Sequence, residues 1–216
     1  MMLATTLAVS GFAGAIAGIP VVEAASKNPT SDATIEIIGY TDGYIDWSTS
    51  KYVYVGKNVD GKASKVKGLS YDKKTNTLTV NGFNKPKMGI TASGMGSGFK
   101  IVVKGKKNNI QNLSVFGTVT IKGSGTLTIN KNKKCSNGGL SVSSEEDPIK
   151  LVLAKKVKVT AYGDDYADAL YVGSTLTDVD KAIVCQGGSM TECKLDGQSE
   201  SGVNRFVSTA NKFVKK

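Results

Sequence analysis

Short runs of β-branched and apolar residues, alternating with polar ones, fill the middle of the chain. Several runs end at Gly, Asn or Lys-Gly, which is the pattern of strands joined by tight turns. No sustained helical period interrupts this region. The pattern predicts strands at residues 35–38, 52–55, 77–80, 100–103, 118–121, 126–129, 151–153 and 157–160. The chain is therefore expected to be an all-β protein.

Two of these runs recur together with their turns. The sequence Ile-Val-Val-Lys-Gly at 101–105 returns as Val-Thr-Ile-Lys-Gly at 119–123, and Thr-Leu-Thr-Val-Asn at 77–81 returns as Thr-Leu-Thr-Ile-Asn at 126–130. Strands that return with Gly or Asn at the corners indicate a parallel β-helix, a solenoid whose stacked turns share one column of apolar side chains. The alternative is an antiparallel β-sandwich, which also has short strands and frequent turns.

The beginning of the chain has the pattern of a secretory signal peptide. Its first 22 residues carry no charge and hold an apolar run that ends near small residues. We expect a signal peptide over residues 1–24, a polar linker over 25–34 and the solenoid domain over 35–200. The protein is then secreted and extracellular, with no stable insertion in a membrane once the signal has been cleaved.

The end of the chain changes its period. Apolar residues follow the i, i+3, i+4, i+7 spacing of one helix face, namely Val203, Phe206, Val207, Ala210, Phe213 and Val214. The spacing predicts a C-terminal amphipathic helix over residues 201–216. Such a helix would cover one open end of a stack of strands.

Charge and composition narrow the function. The chain has 28 Lys and Arg residues against 18 Asp and Glu, Arg205 is its single Arg, and it has no His. The lack of His excludes Ser-His-Asp and Cys-His catalysis. Lys pairs at 73–74, 106–107, 133–134 and 155–156 would form a basic ridge at the corners of a solenoid. For an exported chain with no nucleic-acid motif, we expect an anionic cell-wall polymer or acidic polysaccharide as partner rather than nucleic acid. The alternative is that the lysines form a dispersed surface that only keeps the protein in solution.

Aromatic residues cluster near the start of the β region. Five of them fall within one short stretch of the sequence, namely Tyr40, Tyr44, Trp47, Tyr52 and Tyr54. Sugar rings present flat C–H faces that stack on Tyr and Trp, so this segment is a candidate glycan-binding platform. The alternative is that these rings cover the open first turn of the solenoid, where a Tyr hydroxyl can stay in contact with water.

Two further groups of residues are candidates for chemistry. Asp164, Asp165 and Asp168 place three carboxylates within five residues, a pattern that fits a Ca²⁺ site, a catalytic group or a turn with solvated charges. Calcium is accordingly the single candidate cofactor. Cys185 and Cys193 are the closest pair of cysteines in the sequence and form a candidate disulfide, with three buried thiols as the alternative.

Residues 50 to 163 resemble a known family. The segment from Tyr71 to Asn81 reads Tyr-Asp-Lys-Lys-Thr-Asn-Thr-Leu-Thr-Val-Asn, and residues 118–130 contain Gly-Ser-Gly-Thr-Leu-Thr-Ile-Asn. Both are similar to motifs in extracellular modules of Gram-positive, Clostridia-like bacteria that are known as carbohydrate-binding domain-containing surface proteins. The resemblance implies a right-handed β-helix and a place at the cell surface, and it carries no site residues over to this chain.

These observations predict a short right-handed parallel β-helix that acts without catalysis, binding carbohydrate or an anionic wall polymer. One alternative is a polysaccharide lyase or hydrolase that uses Asp164, Asp165 and Asp168. Another is a structural spacer or adhesin at the cell surface.

Overall fold

The computed structural model describes residues 26–135, 138–144, 148–163, 168–174, 182–187, 190–191, 193–196, 204–208 and 212–215. Every element bounded within this part of the chain is a strand, so the chain is an all-β protein. Within the same residues, no helix is long and apolar enough to cross a membrane. The strands are β1 (Thr34–Thr41), β2 (Tyr44–Val55), β3 (Leu69–Asp72), β4 (Thr77–Asn81), β5 (Asn84–Lys85), β6 (Met88–Ser93), β7 (Lys100–Lys104), β8 (Asn108–Ile110), β9 (Leu113–Phe116), β10 (Val119–Gly123), β11 (Thr126–Ile129), β12 (Leu140–Ser144), β13 (Leu151–Leu153), β14 (Lys158–Tyr162), β15 (Leu170–Ser174), β16 (Ile183–Cys185), β17 (Met190–Thr191), β18 (Cys193–Asp196), β19 (Asn204–Ser208) and β20 (Lys212–Lys215).

The strands form three sheets. Sheet A has the order β18-β19-β15-β12-β9-β6-β1-β2, sheet B the order β16-β13-β10-β7-β4-β3, and sheet C the order β17-β20-β14-β11-β8-β5. Between β4 and β15 the chain visits sheets B, C and A in turn four times. We call one such passage a rung: rung 1 is β4 to β6, rung 2 is β7 to β9, rung 3 is β10 to β12 and rung 4 is β13 to β15.

Neighbouring rungs pair in parallel, and β16 also adds parallel to β13, whereas the other strands outside the rungs pair antiparallel. Parallel ladders join β4 to β7, β7 to β10 and β10 to β13, with equivalent ladders in the other two sheets. The β1–β2 and β3–β4 pairs at one end are antiparallel, as are the pairs of β19 and β20 at the other. The parallel ladders do not match the antiparallel β-sandwich that the sequence left open.

One column of apolar side chains runs through the rungs. In sheet B, Leu78 lies opposite Ile101, which lies opposite Ile121, which in turn lies opposite Leu153. All four are at most 1% exposed. Similar columns in sheets A and C complete a single core. Because side chains alternate along a strand, the residues between these positions face outward.

The eight strands predicted from the sequence are all present, but the repeats align differently. The repeat in the sequence sets Ile101 against Val119, whereas in the sheet Ile101 pairs with Ile121. The shift of two residues leaves every side chain on its expected face, because strand periodicity is two. The similar segments β4 and β11 lie in different sheets and do not pair.

Gly123 shows why the corners need glycine. Its φ is +111°, a region that residues with a Cβ rarely adopt, and a Cβ there would collide with the carbonyl oxygen of Val103. The close approach of these two backbone segments is what lets rung 3 sit directly on rung 2.

The predicted C-terminal helix over residues 201–216 is wrong. Asn204–Ser208 and Lys212–Lys215 are strands that add antiparallel to β15 and β14. The open edges of these two strands offer unpaired N–H and C=O groups, which a further strand satisfies and a helix lid would not. Phe and Val also favour strands. The hydrogen bonds gained at the open sheet edges therefore outweigh the local helical spacing of the apolar residues.

The predicted linker also has a defined place where it is described. Thr30 donates to the Gly94 carbonyl oxygen at 2.8 Å, and Ser97 donates to the Ser26 carbonyl oxygen at 2.7 Å. Ala33 is fully buried. Residues 26–33 therefore pack along the segment that follows β6. The predicted signal peptide lies outside the described residues.

Candidate functional site

The structure divides the five clustered aromatic residues by exposure. Tyr44 is 71% exposed and Trp47 is 65% exposed, both on the edge strand β2. Tyr52 and Tyr54 are half-buried, and Tyr40 is buried at 7% exposure. Tyr44 and Trp47 are therefore the two members of the predicted platform whose rings are mostly open to solvent, whereas the buried Tyr40 ring offers no face to a sugar.

Tyr40 belongs to a small buried cluster on the outer side of sheet A. Its ring lies over Gly89 and beside Asn112, and its hydroxyl shares a hydrogen bond with the Cys135 thiol. Burial, with a further contribution from Cys135, raises the pKa of Tyr40 well above its usual range. The phenol is thus held neutral in the folded protein.

Tyr54 packs against the core beside Tyr71. Its ring centroid lies 4.5 Å from that of Tyr71, and both rings pack against the core. The Tyr71 hydroxyl donates to Asn76 Oδ1 at 2.9 Å, and burial raises the pKa of Tyr71. These contacts make Tyr54 a structural residue.

The raised pKa of Tyr40 predicts a loss of stability at alkaline pH. A group whose pKa is higher in the folded state stabilises fully below its unfolded pKa, here 10.0, and its contribution is lost as the pH rises above that value. We expect Tyr40→Phe to lose less unfolding free energy than the native chain between about pH 9 and pH 11. Urea unfolding at each pH measures this, and parallel pH curves for the two proteins would contradict it.

The outer side of sheet A carries a polar surface with no charged residue on its four central strands. The core side chains of β6, β9, β12 and β15 point inward, so the residues between them face solvent. These outward residues form the hydroxyl face, which consists of Thr91, Ser93, Ser114, Phe116, Ser141, Ser143 and Tyr171. Hydroxyls at regular spacing both donate and accept hydrogen bonds.

Two aromatic rings stand on the hydroxyl face. Phe116 is 51% exposed, and Ser143 lies between it and Gly173 in the register of the sheet. The Tyr171 side chain leans over Gly173, where a Cβ would collide with its hydroxyl. Since neighbouring strands are about 4.8 Å apart, the two rings are separated by about 10 Å across the strands.

A shallow cavity of about 100 Å³ adjoins Phe116. Besides Phe116, it is lined by Ser26, Thr30, Gly94, Gly96, Ser97, Gly117, Thr118 and Pro148. Four of these residues carry hydroxyl groups, and the Phe116 ring supplies an apolar wall. A few polar groups beside an aromatic wall are typical of a site for a small polar ligand.

Sequence reasoning missed Phe116 and Tyr171, although the signal for Phe116 is present. In Leu113-Ser114-Val115-Phe116 the inward and outward positions alternate. Phe116 therefore lies on the outward face with Ser114 and not on the core face with Leu113 and Val115. An aromatic residue on a polar face is the signal. The neighbouring strands that complete the surface come from successive rungs, so they are distant in sequence and are joined only by folding.

The candidate calcium and disulfide residues are described only in part. Asp164 and Asp165 lie outside the described residues, and Asp168 is exposed, with its carbonyl oxygen accepting from Gly139 at 3.0 Å. Among the residues that the structure describes, no three His, Cys, Asp or Glu side chains form a group that could hold a metal ion. Cys185 is a half-buried free thiol, and the side chain of Cys193 lies outside the description. Both sites stay predictions.

Comparison with known proteins gives this chain no assigned relative. No protein-family model, no curated protein and no solved structure matches it. The resemblance to carbohydrate-binding surface proteins therefore stays a prediction, and function has to be argued from the surfaces described above.

Proposed function

We propose that the protein is an exported, non-catalytic binding protein that holds a glycan chain on its hydroxyl face. The observation that carries this proposal is the pair of rings, Phe116 and Tyr171, set on either side of Ser143 on four strands that carry no charged residue. The support comes from the chemistry of the surface.

The scaffold that fits this role is a short parallel β-solenoid. Four rungs that pass through sheets B, C and A in the same order, with parallel ladders between them, support that inference. A solenoid repeats its surface at each rung, so a polymer that itself repeats meets the same chemistry several times. We also propose that this solenoid is right-handed.

The chemistry of the hydroxyl face suits a sugar chain. The C–H face of a sugar ring packs on an aromatic ring, and each sugar hydroxyl can both donate and accept a hydrogen bond with Ser or Thr. Two rings about 10 Å apart, across two strand spacings, match sugars that are not adjacent in the chain. The glycan would therefore lie across the strands, with the sugar between the two stacked ones over Ser143.

Phe116→Ala is expected to weaken glycan retention about tenfold, because aromatic stacking residues carry a large share of such binding energy. The measurement is a glycan array with the native chain, followed by titration of the retained glycan with native chain and variant. Half of the Phe116 side chain is exposed and it lies outside the core, so we expect the variant to fold normally.

Trp47→Ala is the matched control, because it removes an aromatic ring of similar exposure from β2. We expect it to leave retention unchanged. If Trp47→Ala abolishes retention and Phe116→Ala does not, the ligand lies on β2 and the hydroxyl face is not the site. Retention of no glycan by the native chain would contradict glycan binding altogether.

The polysaccharide lyase or hydrolase remains a separate hypothesis that rests on Asp164, Asp165 and Asp168. Release of unsaturated or reducing sugar ends in the presence of Ca²⁺, abolished by Asp165→Ala, would support it. The geometry of the described residues adds nothing in its favour, so the binding proposal is preferred.

A further inference from the structure

The four Lys pairs do not lie at one corner of the stack. Lys106–Lys107 and Lys155–Lys156 both fall where the chain passes from sheet B to sheet C, in rungs 2 and 4. The pair at 73–74 lies in the turn between β3 and β4, and the pair at 133–134 follows sheet C. Only the B-to-C corner thus gathers two pairs.

Single lysines on the strands at this corner extend these two pairs into a strip across three rungs. We define the lysine ridge as Lys104, Lys106, Lys107, Lys122, Lys155, Lys156 and Lys158. Six of the seven are exposed and Lys122 is half-buried. The ridge spans rungs 2, 3 and 4, and it lies on other strands than the uncharged hydroxyl face.

Backbone hydrogen bonds hold the successive corners on top of one another. Thr126 donates to the Gly105 carbonyl oxygen at 2.9 Å, and Lys158 donates to the Gly125 carbonyl oxygen at 3.1 Å. Each step between rungs is about 4.8 Å, so the pairs at 106–107 and 155–156 are about 10 Å apart along the stack. The ridge therefore follows the stack axis rather than the strands.

The strands that bear the ridge contain no opposing charge. No Asp or Glu occurs among residues 73–144, a segment with twelve Lys, and none occurs among residues 148–163. Lysines this close repel one another, since their spacing is comparable to the screening length of about 8 Å at physiological salt. A bound chain of negative charges would relieve this repulsion at every rung.

We infer that the lysine ridge binds a linear polyanion, a chain of carboxylate or phosphate groups, laid along the stack axis. Lysine is a flexible point charge without the fixed fork of arginine, so it suits regularly spaced charges rather than one shaped anionic group. The ridge holds no aromatic residue on which nucleic-acid bases would stack, which favours an acidic polymer without bases.

The test compares two variants that lose the same charge. Lys106→Gln, Lys107→Gln, Lys155→Gln and Lys156→Gln together remove the two ridge pairs. The matched control combines Lys62→Gln, Lys65→Gln, Lys67→Gln and Lys73→Gln, four exposed lysines outside the ridge. Circular dichroism and thermal unfolding verify that both variants fold as the native chain does.

Binding to polygalacturonate and to polyphosphate is measured for the native chain and both variants at low and at physiological salt. We expect the ridge variant to bind at least about tenfold more weakly and the control to change by less than about threefold, with affinity falling as salt rises. Ridge-dependent binding of one polymer alone would identify carboxylate or phosphate as the source.

Three outcomes would overturn the inference. The first is no binding of the native chain to either polymer at low salt, and the second is an equal loss in both variants, which would mean that net charge alone decides. The third is ridge-dependent binding of single-stranded DNA that is tighter than that of both polymers. Phe116→Ala should leave polyanion binding unchanged, which separates this site from the proposed glycan site.

Discussion

Replacing Ile121 by Ala is expected to lower the free energy of unfolding by about 3 kcal/mol. Ile121 is fully buried at the centre of the apolar column, between Ile101 in rung 2 and Leu153 in rung 4. Removing its outer side-chain carbons loses their transfer energy and leaves a cavity, because the backbone ladders on both sides hold the rungs in place. Urea unfolding followed by circular dichroism measures the change.

Thr120→Ala is the control, since Thr120 is the adjacent residue in β10 and faces outward. We expect its cost to be below about 1 kcal/mol, in the range of substitutions at partly exposed sites. A similar loss for both variants would contradict the assignment of inward and outward faces. A small loss for Ile121→Ala alone would mean that the column is less tightly packed than the structure has it.

Asn108→Ala is expected to cost about 2 to 4 kcal/mol, although it removes no apolar contact. Asn108 is 2% exposed and binds backbone groups of three segments. Its Oδ1 accepts from Phe83 N at 3.2 Å, and its Nδ2 donates to the carbonyl oxygens of Lys104 at 2.8 Å and Thr126 at 3.0 Å. The variant leaves these groups buried without a side-chain partner, and unpaired buried polar groups are costly.

Asn109→Ala is the comparison variant. It removes the same type of side chain from the next residue, where, within the described part of the chain, the side-chain oxygen has no hydrogen bond of the kind that Asn108 makes. Among the residues that the structure describes, none donates a hydrogen bond to the buried Oδ1 atom of Asn109. We expect its removal to be neutral or slightly stabilising, since it deletes an unsatisfied polar atom. Equal destabilisation by the two variants would show that the bridging hydrogen bonds of Asn108 contribute little.

The two proposed binding surfaces differ in charge and lie on different parts of the molecule. The four central strands of sheet A hold hydroxyl groups and two rings and carry no charged residue, whereas the lysine ridge lies where sheet B passes into sheet C. The two proposals together predict that the protein holds a neutral glycan and an acidic polymer at the same time. The test is whether a variant that no longer binds one of the two ligands still binds the other.

Several features of the fold could be predicted from local sequence. The alternation in Thr77–Asn81 and the β-branched run in Lys100–Lys104 mark strands, and Gly123 marks a corner. The all-β class follows from such runs because strand periodicity is a local property. The helical spacing of apolar residues at the C-terminus was misleading, because the same residues also fit two short strands. The open edges of the sheets favoured the strands.

The candidate site was less predictable. Tyr40 and Tyr44 belong to the same aromatic cluster in the sequence, yet Tyr40 packs beside Cys135 and Tyr44 is exposed. Only the path of the chain through sheet A determines this difference in burial. Phe116 and Tyr171 belong to rungs 2 and 4, far apart along the chain, and meet on one surface through two ladders. The four Lys pairs look equivalent in sequence, but two of them share a corner.

The sequence by itself determined the all-β class, half of the rung strands, the excess of lysine and the absence of histidine. These properties depend on composition and on periods of two residues, which act within a single strand. The tertiary structure alone decided which faces meet, which corners stack and which strands close the ends. Those features depend on ladder register and on backbone groups that must find partners across long stretches of sequence, so no local pattern specifies them.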